Sequence, residues 1–477
     1  MRKSRTFRRI VVLLLLAIIV AAQTAIFIYY WDMYYTEGTG LYDAFFSRGK
    51  VVLYFMYGLM FLVFCNVYGA FKLGTLQYSN LFFSQALAIL FTNLFIYLQA
   101  SLLSLKMVNV APVLGMTFIN MLCALIWCAL ALLVYRWLYP PRKLLLIYSD
   151  RDPDNLVKKI ETREDKYLID DRIHCDSPAE ELRNAIRRHK AVLLCDIPSG
   201  RRNKIIKYCY MHDKRAYVTP KLSDLIILGA GQNTLFDSPL LVTKIKGLKW
   251  EQAAFKRLLD IIIALILCVP TILITILVAI GDLIWDRGPI FYLQPRITQN
   301  GKKFKIIKFR SMKVDSEKQG AQLAKKDDDR ITKVGRVLRA THLDELPQVF
   351  NILIGQMSVV GPRPERPEIA EEYLADIPEF KFRLKVKAGL TGYAQVYGKY
   401  NTTPYDKLKL DLYYIQNYSF WRDLQLLLMT FKILFIKENR EGVEQDQKTA
   451  RVENPKKKEE YDLGEVEPPM DELYKGE

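Results

Sequence analysis

Cysteine pairs at metal-binding spacing are missing from this chain. Its 477 residues include seven cysteines, and no two of them form a Cys-x-x-Cys motif. Four lie inside apolar runs, where a thiol packs like a small hydrophobic residue: Cys65, Cys123, Cys128 and Cys268. We therefore expect neither a disulfide framework nor a zinc site. Three of the four histidines, His174, His189 and His212, have no partner at metal-ligand spacing, and we interpret them as surface or core residues.

A glycine-rich phosphate-binding turn is also missing. From Leu144 to about Lys246, short apolar runs alternate with helical patterns, which predicts a small α/β domain. The first strand of that domain ends in Ser149-Asp150-Arg151-Asp152, without the glycines that let a backbone approach a pyrophosphate. Gly229-Ala230-Gly231 lacks the third glycine of the fingerprint and predicts a turn. Dinucleotide binding therefore has little support.

Basic residues outnumber acidic ones, with Lys+Arg 68 against Asp+Glu 51 and a formal net charge of +17. This excess suits a polyanionic partner such as a phospholipid surface, nucleotide phosphates or a nucleic acid. The chain has no nucleic-acid recognition motif and no basic-aromatic repeat. We therefore expect a membrane phospholipid partner and no nucleic-acid partner.

Long apolar runs are abundant in the first third of the chain. A run of about 20 residues crosses a hydrocarbon core about 30 Å thick, and four nearly charge-free runs reach that length: Ile10–Tyr30, Val51–Phe71, Leu81–Leu105 and Ala111–Leu138. Basic residues precede the first run, whereas acidic residues predominate in the loop after it, so we expect a cytoplasmic amino terminus. Residues 1–142 are therefore predicted to form four transmembrane helices that return the chain to the cytosol.

A fifth apolar run, Ile261–Ile280, contains Pro270 at its middle, which predicts a kink or a break. Two interpretations compete. A kinked span would carry the chain out of the cell, whereas a helix-break-helix hairpin over residues 257–281 would enter and leave by the same leaflet. Basic residues flank the run on both sides, which favours the re-entrant hairpin.

The end of the chain combines an amphipathic segment with a polar tail. Ser419–Ile436 places aromatic and aliphatic residues beside Arg422 and Lys432, a pattern typical of a helix that lies on a membrane surface. Residues 438–477 are mostly charged and are predicted to be disordered.

An acidic pair, Asp344 and Glu345, precedes a predicted helix that begins near Pro347 and ends at Gly355. The positive end of that helix and the neighbouring arginines favour ionised carboxylates and also attract phosphate. Adjacent carboxylates among cations suit phosphoryl transfer, because one can attack phosphorus while the other holds a magnesium ion. The alternative is that Asp344 only caps the helix and Glu345 is solvated.

Several basic residues accompany the acidic pair. In an extended Phe304–Arg310 segment, Lys308 and Arg310 lie on one side and could face one phosphate. Arg339 is on a predicted helix, three residues after Arg336 and on the same face. Arg363 lies between two prolines that stiffen its backbone, as a fixed anion-binding guanidinium requires, although a rigid surface turn would look the same.

Taken together, these motifs resemble the polyprenyl-phosphate sugar-1-phosphate transferases of the bacterial sugar transferase family, in its long form with four amino-terminal transmembrane helices. The resemblance extends from Phe255 to about Lys437. It rests on the proline-containing apolar segment and on the following motifs: K-R-L-L-D (Lys256–Asp260), K-F-R-S-M (Lys308–Met312), L-R-A-T-H-L-D-E-L-P-Q (Leu338–Gln348), G-P-R-P (Gly361–Pro364), G-L-T-G-Y-A-Q-V (Gly389–Val396) and L-D-L-Y-Y (Leu410–Tyr414).

The resemblance implies a fold, a reaction and roles for the site residues. The fold would be an α-helical transmembrane bundle, a Rossmann-like α/β domain at 143–250 and a mostly helical catalytic domain at 251–437 with a re-entrant hairpin. Asp344 would be the nucleophile, Glu345 would assist it through Mg²⁺, with both carboxylates as metal ligands, and four cations would bind phosphate: Lys308, Arg310, Arg339 and Arg363. Asp411, Tyr413 and Tyr414 could contribute to the nucleotide site, or they could lie on an amphipathic helix that packs its tyrosines in the core.

The implied activity is transfer of a sugar-1-phosphate from a nucleotide sugar, a UDP-sugar by expectation, to undecaprenyl phosphate, which starts a capsular polysaccharide or exopolysaccharide. The enzyme would be a multi-pass protein of the bacterial inner membrane, with its catalytic domain on the cytoplasmic face and with homo-oligomers possible. The alternative is a membrane-bound scaffold or regulator of polysaccharide assembly that has no transferase activity.

Overall fold

The computed structural model describes residues 5–35, 47–149, 153–243, 247–285, 287–313, 330–398 and 402–434. The tail predicted at 438–477 lies outside these ranges. In the described part the chain is mostly helical, with a small parallel sheet and five helices that are long and apolar enough to cross a membrane.

The four predicted amino-terminal spans are confirmed as helices of membrane-crossing length and composition. Their outward-facing leucines, such as Leu13 and Leu133, are more than half exposed, as side chains in contact with lipid would be. The helices are α1 (Arg5–Tyr34), α2 (Ser47–Tyr68), α3 (Tyr78–Leu103) and α4 (Ala111–Leu138).

A buried chain of polar side chains joins these four helices near their middles. Gln23 Nε2 donates to the carbonyl oxygen of Asn120 at 3.0 Å, and Asn120 Nδ2 donates to the Tyr57 hydroxyl at 3.2 Å. That hydroxyl donates to Asn93 Oδ1 at 3.1 Å, and Asn93 Nδ2 reaches Thr117 at 2.8 Å. Because lipid supplies no hydrogen bonds, such pairs favour one arrangement of the helices over others.

The predicted alternation of strands and helices after the fourth span is confirmed. Four parallel strands form a sheet in the order β2-β1-β3-β4, and a separate antiparallel pair, β5 and β6, follows them. The elements are β1 (Arg142–Tyr148), α5 (Asp154–Glu161), β2 (Tyr167–His174), α6 (Ala179–Arg188), β3 (Ala191–Cys195), α7 (Ser199–Met211), β4 (Arg215–Val218), α8 (Leu222–Leu228), β5 (Gly231–Leu235) and β6 (Ser238–Val242).

The remaining described residues, 247–434, are called the C-terminal region. Three short 3₁₀ helices, Gln299–Gly301, Leu343–Glu345 and Pro378–Lys385, connect its longer elements. Those elements are α9 (Trp250–Trp285), β7 (Phe291–Ile297), β8 (Lys303–Phe309), α10 (Lys333–Thr341), α11 (Gln348–Ile354), β9 (Ser358–Val360), α12 (Pro367–Asp376), β10 (Gly389–Thr391), α13 (Tyr393–Tyr397), α14 (Pro404–Gln416) and α15 (Phe420–Leu434).

The apolar segment around Pro270 is one helix, and no break divides it. α9 continues through Pro270, because the proline removes only one hydrogen-bond donor and an apolar environment offers the other backbone groups no partners outside the helix. Both ends of α9 nevertheless contact the same region. Near the start, Arg257 Nη1 donates to the carbonyl oxygen of Ile352 at 2.6 Å, and near the end Val278 packs against Leu338.

A buried ion pair attaches the start of α9 to α15. Lys256 Nζ lies 2.6 Å from Asp423 Oδ2, and their side chains are 7% and 1% exposed. The Tyr414 hydroxyl donates to the other oxygen of Asp423 at 2.6 Å. Because both oxygens of the carboxylate have partners, this charge pair is compatible with its apolar surroundings.

α15 also connects the C-terminal region to the membrane helices. Gln425 Nε2 donates to the Val67 carbonyl oxygen at 3.2 Å, and Lys432 Nζ donates to the Ser84 hydroxyl at 2.7 Å. Burial lowers the pKa of Lys432 to about 8. The segment predicted to lie on the membrane surface is therefore a helix, and it packs against α2 and α3 in addition to exposing Trp421.

We expect Asp423→Asn to lower the free energy of unfolding by about 3–5 kcal/mol, because it leaves the buried Lys256 ammonium without its counter-charge. Thermal unfolding of the purified protein in detergent would measure this. Lys159→Gln breaks the exposed Lys159–Asp406 pair at 3.3 Å and should change the free energy by less than about 1 kcal/mol. Equal losses in the two variants would contradict the role of the buried pair.

Candidate active site

The acidic pair lies in the short connection between α10 and α11. The side chain of Thr332 caps α10 by accepting a hydrogen bond from the Gly335 amide, and His342 ends that helix in the left-handed conformation at φ 57°. Asp344 and Glu345 follow in one turn of 3₁₀ helix, and Pro347 caps α11. Gly355 ends α11 at φ 91°, which confirms the predicted limits of this helix.

Glu345 lies between two cations. Lys308 Nζ donates to Glu345 Oε1 at 2.9 Å, and Arg363 Nη2 donates to the same oxygen at 2.9 Å. The side chain of Glu345 is 18% exposed. Burial acts to raise the pKa of Glu345, but the charges and hydrogen bonds of Arg363 and Lys308 outweigh it and hold the pKa well below the ordinary range.

Asp344 has a different environment. Among the described residues its carboxylate forms no ion pair and no hydrogen bond, and the residue is half-buried. Burial and the neighbouring charge of Glu345 raise its pKa, while Lys308, Arg339 and His342 oppose the rise. Two adjacent carboxylates thus differ: one is held as an anion by cations, and the other is available to a ligand.

The four predicted phosphate-binding cations do not all meet at the acidic pair. Lys308, from the end of β8, and Arg363, after β9, bind Glu345 directly, and Arg339 acts on Asp344 through its charge. Arg310 is elsewhere. Its Nη2 lies 3.4 Å from Asp282 Oδ2, and its Nε donates to the Pro289 carbonyl oxygen at 2.8 Å.

Arg363 lies in the loop between β9 and α12. Gly361, the first residue of that loop, is packed too tightly to carry a side chain. A Cβ on Gly361 would lie 2.4 Å from the Lys387 carbonyl oxygen. The Gly361 amide donates to the Thr391 carbonyl oxygen at 2.8 Å, next to the short pairing of β9 with β10. The backbone before Arg363 is therefore fixed by packing as well as by the prolines.

A buried arginine that sequence reasoning missed supports Arg363 from behind. Arg383 Nη2 donates to the Arg363 carbonyl oxygen at 2.9 Å and lies 2.8 Å from Asp411 Oδ2, while its Nη1 lies 3.3 Å from Glu365. Asp411 is 1% exposed, and burial raises its pKa to about 6 against the opposing charge of Arg383. Asp411, which we considered for the nucleotide site, is thus buried in an ion pair with Arg383, and Tyr414 on the same helix also packs in the core.

The acidic pair can accommodate a divalent cation. Mg²⁺ prefers oxygen ligands, and it usually takes one or two carboxylates and completes its shell with water and substrate phosphates. The carboxylate of Asp344 and the second oxygen of Glu345 provide that donor set. Asp344 has no competing ion pair among the described residues.

A second group of potential ligands, which includes His174, lies outside this site. The side-chain ligand atoms of His174, Cys175 and Asp176 lie within 4.8 Å of one another at the end of β2. Sequence spacing missed the group because its members are consecutive. Arg201 forms an ion pair with Asp176, and its positive charge disfavours a metal ion there.

The sequence around the acidic pair is similar to that of known proteins. Residues 251–437 match the family model described as bacterial sugar transferase. The chain is 38% identical over 189 residues to the UDP-glucose:undecaprenyl-phosphate glucose-1-phosphate transferase of Caulobacter vibrioides, covering 39% of this chain and 71% of that protein. It is 47% identical over 135 residues to a putative undecaprenyl-phosphate N-acetylgalactosaminyl 1-phosphate transferase of Bacillus subtilis, covering 28% and 73%.

The chain belongs to the bacterial sugar transferase family. It is also 41% identical over 201 residues to the UDP-glucose:undecaprenyl-phosphate glucose-1-phosphate transferase of Klebsiella pneumoniae, covering 41% of this chain but only 42% of that relative. The matched part therefore spans less than half of some relatives. The family region includes the acidic pair and all the cations around it.

Carbodiimides modify protonated carboxyl groups, so they can test the two environments of the acidic pair. Because the pKa of Asp344 is raised and that of Glu345 is lowered, Asp344 should be modified at a higher pH than Glu345. Arg363→Gln should raise the modification midpoint of Glu345 by about 1–2 pH units, since it removes one of the two cations. Peptide mass spectrometry across a pH series would measure both midpoints.

Arg336→Gln is the matched control, because this exposed arginine on α10 has the same charge but forms no contact with Glu345. Its midpoint for Glu345 should equal that of the unsubstituted protein. A higher modification midpoint for Glu345 than for Asp344 would contradict the predicted difference between their pKa values.

Proposed function

We propose that this protein transfers a sugar-1-phosphate from a nucleotide sugar, expected to be a UDP-sugar, to undecaprenyl phosphate and thereby starts a capsular polysaccharide or exopolysaccharide. The carboxylate of Asp344, which has no ion-pair partner among the described residues, lies beside the ion-paired Glu345, and this arrangement carries the proposal. The named activities of the relatives support it, since those of Klebsiella and Caulobacter are undecaprenyl-phosphate glucose-1-phosphate transferases.

Asp344 is the proposed nucleophile. In the first step one of its oxygens attacks the phosphorus that carries the sugar, the bond from that phosphorus to the bridging oxygen breaks, and the nucleoside monophosphate leaves with the electron pair. In the second step a phosphate oxygen of undecaprenyl phosphate attacks the same phosphorus. The carboxylate of Asp344 is then released, and the product is an undecaprenyl diphosphate sugar.

The surrounding cations suit the charges of this reaction. Lys308 and Arg363 keep Glu345 ionised, and both present further N–H groups that can donate to phosphate oxygens. Arg339 is the proposed additional phosphate ligand beside Asp344. Bound Mg²⁺ would neutralise charge on the diphosphate, and Asp344 and Glu345 are the residues proposed to hold it. For Arg310, direct phosphate binding stays a prediction, since its present partners are Asp282 and Pro289.

We propose that α9 bends at Pro270, so that it enters the membrane and returns to the cytoplasmic face, where the catalytic domain, residues 251–437, would lie. A helix that crossed the bilayer would place its ends about 30 Å apart on opposite sides. Arg257 and Val278, near opposite ends of α9, both pack on the C-terminal region. The same proposal assigns residues 143–250 to a Rossmann-like domain, which the parallel sheet order supports.

We expect Asp344→Asn to lower transferase activity by at least about 10⁴-fold, because an amide cannot replace the attacking carboxylate. The assay would follow release of nucleoside monophosphate from UDP-sugars, with undecaprenyl phosphate and Mg²⁺ present. With radiolabelled UDP-sugar and no acceptor, the unsubstituted protein should retain sugar phosphate covalently after denaturation.

Glu368→Gln, a change at an exposed carboxylate of α12, should leave both readouts unchanged. Label that persists in Asp344→Asn would remove Asp344 as the nucleophile. No release of monophosphate by the unsubstituted protein from any UDP-sugar would instead favour the scaffold interpretation.

Cysteine labelling in spheroplasts can test the course of α9. In a variant without the native cysteines, Lys249→Cys and Lys302→Cys on either side of α9 should react with an impermeant maleimide only after permeabilisation. Lys106→Cys, between α3 and α4, should react without permeabilisation, since four amino-terminal crossings place it outside. Labelling of Lys302→Cys in intact spheroplasts would show that α9 crosses the membrane.

A further inference from the structure

Strand β8, which carries Lys308 to the acidic pair, has only β7 as a strand neighbour in the described sheet. Its other edge is covered by α11, whose Asn351 is 1% exposed and lies against the backbone of the strand. A buried strand edge needs partners for its amides and carbonyl groups. The partner of this edge is a side chain.

Asn351, on α11, is that partner. Its Oδ1 accepts from the Ile307 amide at 2.9 Å, and its Nδ2 donates to the Lys305 carbonyl oxygen at 2.9 Å. A carboxamide offers one acceptor and one donor side by side, so it can pair with two backbone groups two residues apart. The second hydrogen of Nδ2 goes to Gln356 Oε1 at 2.8 Å, which leaves this 1% exposed amide group fully used.

The two backbone contacts of Asn351, at Lys305 and Ile307, lie within three residues of Lys308 in the chain. Glu345 is six residues before Asn351, across the first turn of α11. The strand is therefore joined to the segment 345–351 at two points, by the Lys308–Glu345 ion pair and by the Asn351 bridge. The ion pair is partly open to solvent, whereas the Asn351 bridge is buried, so the bridge is the stiffer of the two.

We propose that Asn351 is a positioning residue for Lys308. It fixes the distance between β8 and the acidic pair, and so it determines where the Lys308 ammonium meets Glu345 and a phosphate group. The effect of this role on turnover rests on the proposed transfer reaction. The placement of Lys308 can be measured without any activity.

The first test is the reactivity of Lys308 toward an amine-acylating reagent, measured by peptide mass spectrometry. Asn351→Leu should raise acylation of Lys308 at least about fivefold, because the strand is no longer held against Glu345. Lys256 is an internal reporter, since its buried pair with Asp423 keeps it protected as long as the fold is intact. Gln356→Met is the control variant. It removes the third hydrogen-bond partner of the Asn351 side chain but keeps both bonds of Asn351 to β8, so acylation of Lys308 should not change.

The second test is turnover per folded molecule. Asn351→Leu should lower kcat by about 10- to 100-fold, as displacement of a reacting or binding group by about 1 Å does. In a Lys308→Gln background the same change should cost less than about threefold more, because the residue through which Asn351 acts is already lost. A purely structural role predicts equal losses in both backgrounds.

Unchanged Lys308 acylation in Asn351→Leu would overturn the proposal, and so would full additivity with Lys308→Gln. Acylation that rises at Lys256 as well would mean that Asn351 only maintains the fold, which also overturns it. If the unsubstituted protein proves inactive, the proposed function fails, while the acylation result still decides the role of Asn351.

Discussion

The ion-paired state of Glu345 is the interaction on which the active-site geometry depends. Two cations from separate parts of the chain, Lys308 and Arg363, meet on one oxygen of this carboxylate. Each cation is held by its own backbone support: β8 and Asn351 hold the first, and the packed Gly361 connection with Arg383 holds the second. The site is thus built from strand, helix and loop segments whose common point is a single carboxylate.

A second buried charge pair, Lys256 with Asp423, has a different consequence. It joins the start of α9 to α15, and α15 in turn contacts α2 and α3 through Gln425 and Lys432. The apolar helix α9 and the helix α15, which contacts the membrane helices, are therefore fixed to each other. Since these contacts join the C-terminal region directly to the bundle, the position of the acidic pair relative to the bundle is determined by packing rather than by linker length.

Local signals predicted much of this structure. The four spans follow from hydropathy, because lipid leaves a chain few alternatives to helices, and α11 follows from Pro347 and Gly355 at its limits. The acidic pair was also identified locally. What sequence reasoning missed depends on residues far apart in the chain, such as the contacts of Asn351 with β8 and of Arg383 with Asp411. The break that the helix-break-helix interpretation placed at Pro270 is absent from α9, whereas the competing kinked span is a continuous helix. The loss of one hydrogen bond does not outweigh the need of the other backbone groups for helical partners in an apolar segment.

The contrast between Asp344 and Glu345 also suggests why the roles of the pair are divided as proposed. Two unit charges 4 Å apart interact by roughly 4 kcal/mol at an effective dielectric constant of about 20, so adjacent carboxylates in a half-buried turn oppose each other's ionisation. Lys308 and Arg363 favour ionisation of Glu345 over that of Asp344, since both bind Glu345 and hold it as the anion. Oε1 of Glu345 is then occupied by the two cations and is poorly suited to attack. Asp344 retains a carboxylate without such partners among the described residues, and a diphosphate that brings its own cation would favour the ionised form. The availability of the proposed nucleophile is thus a consequence of where the two cations bind.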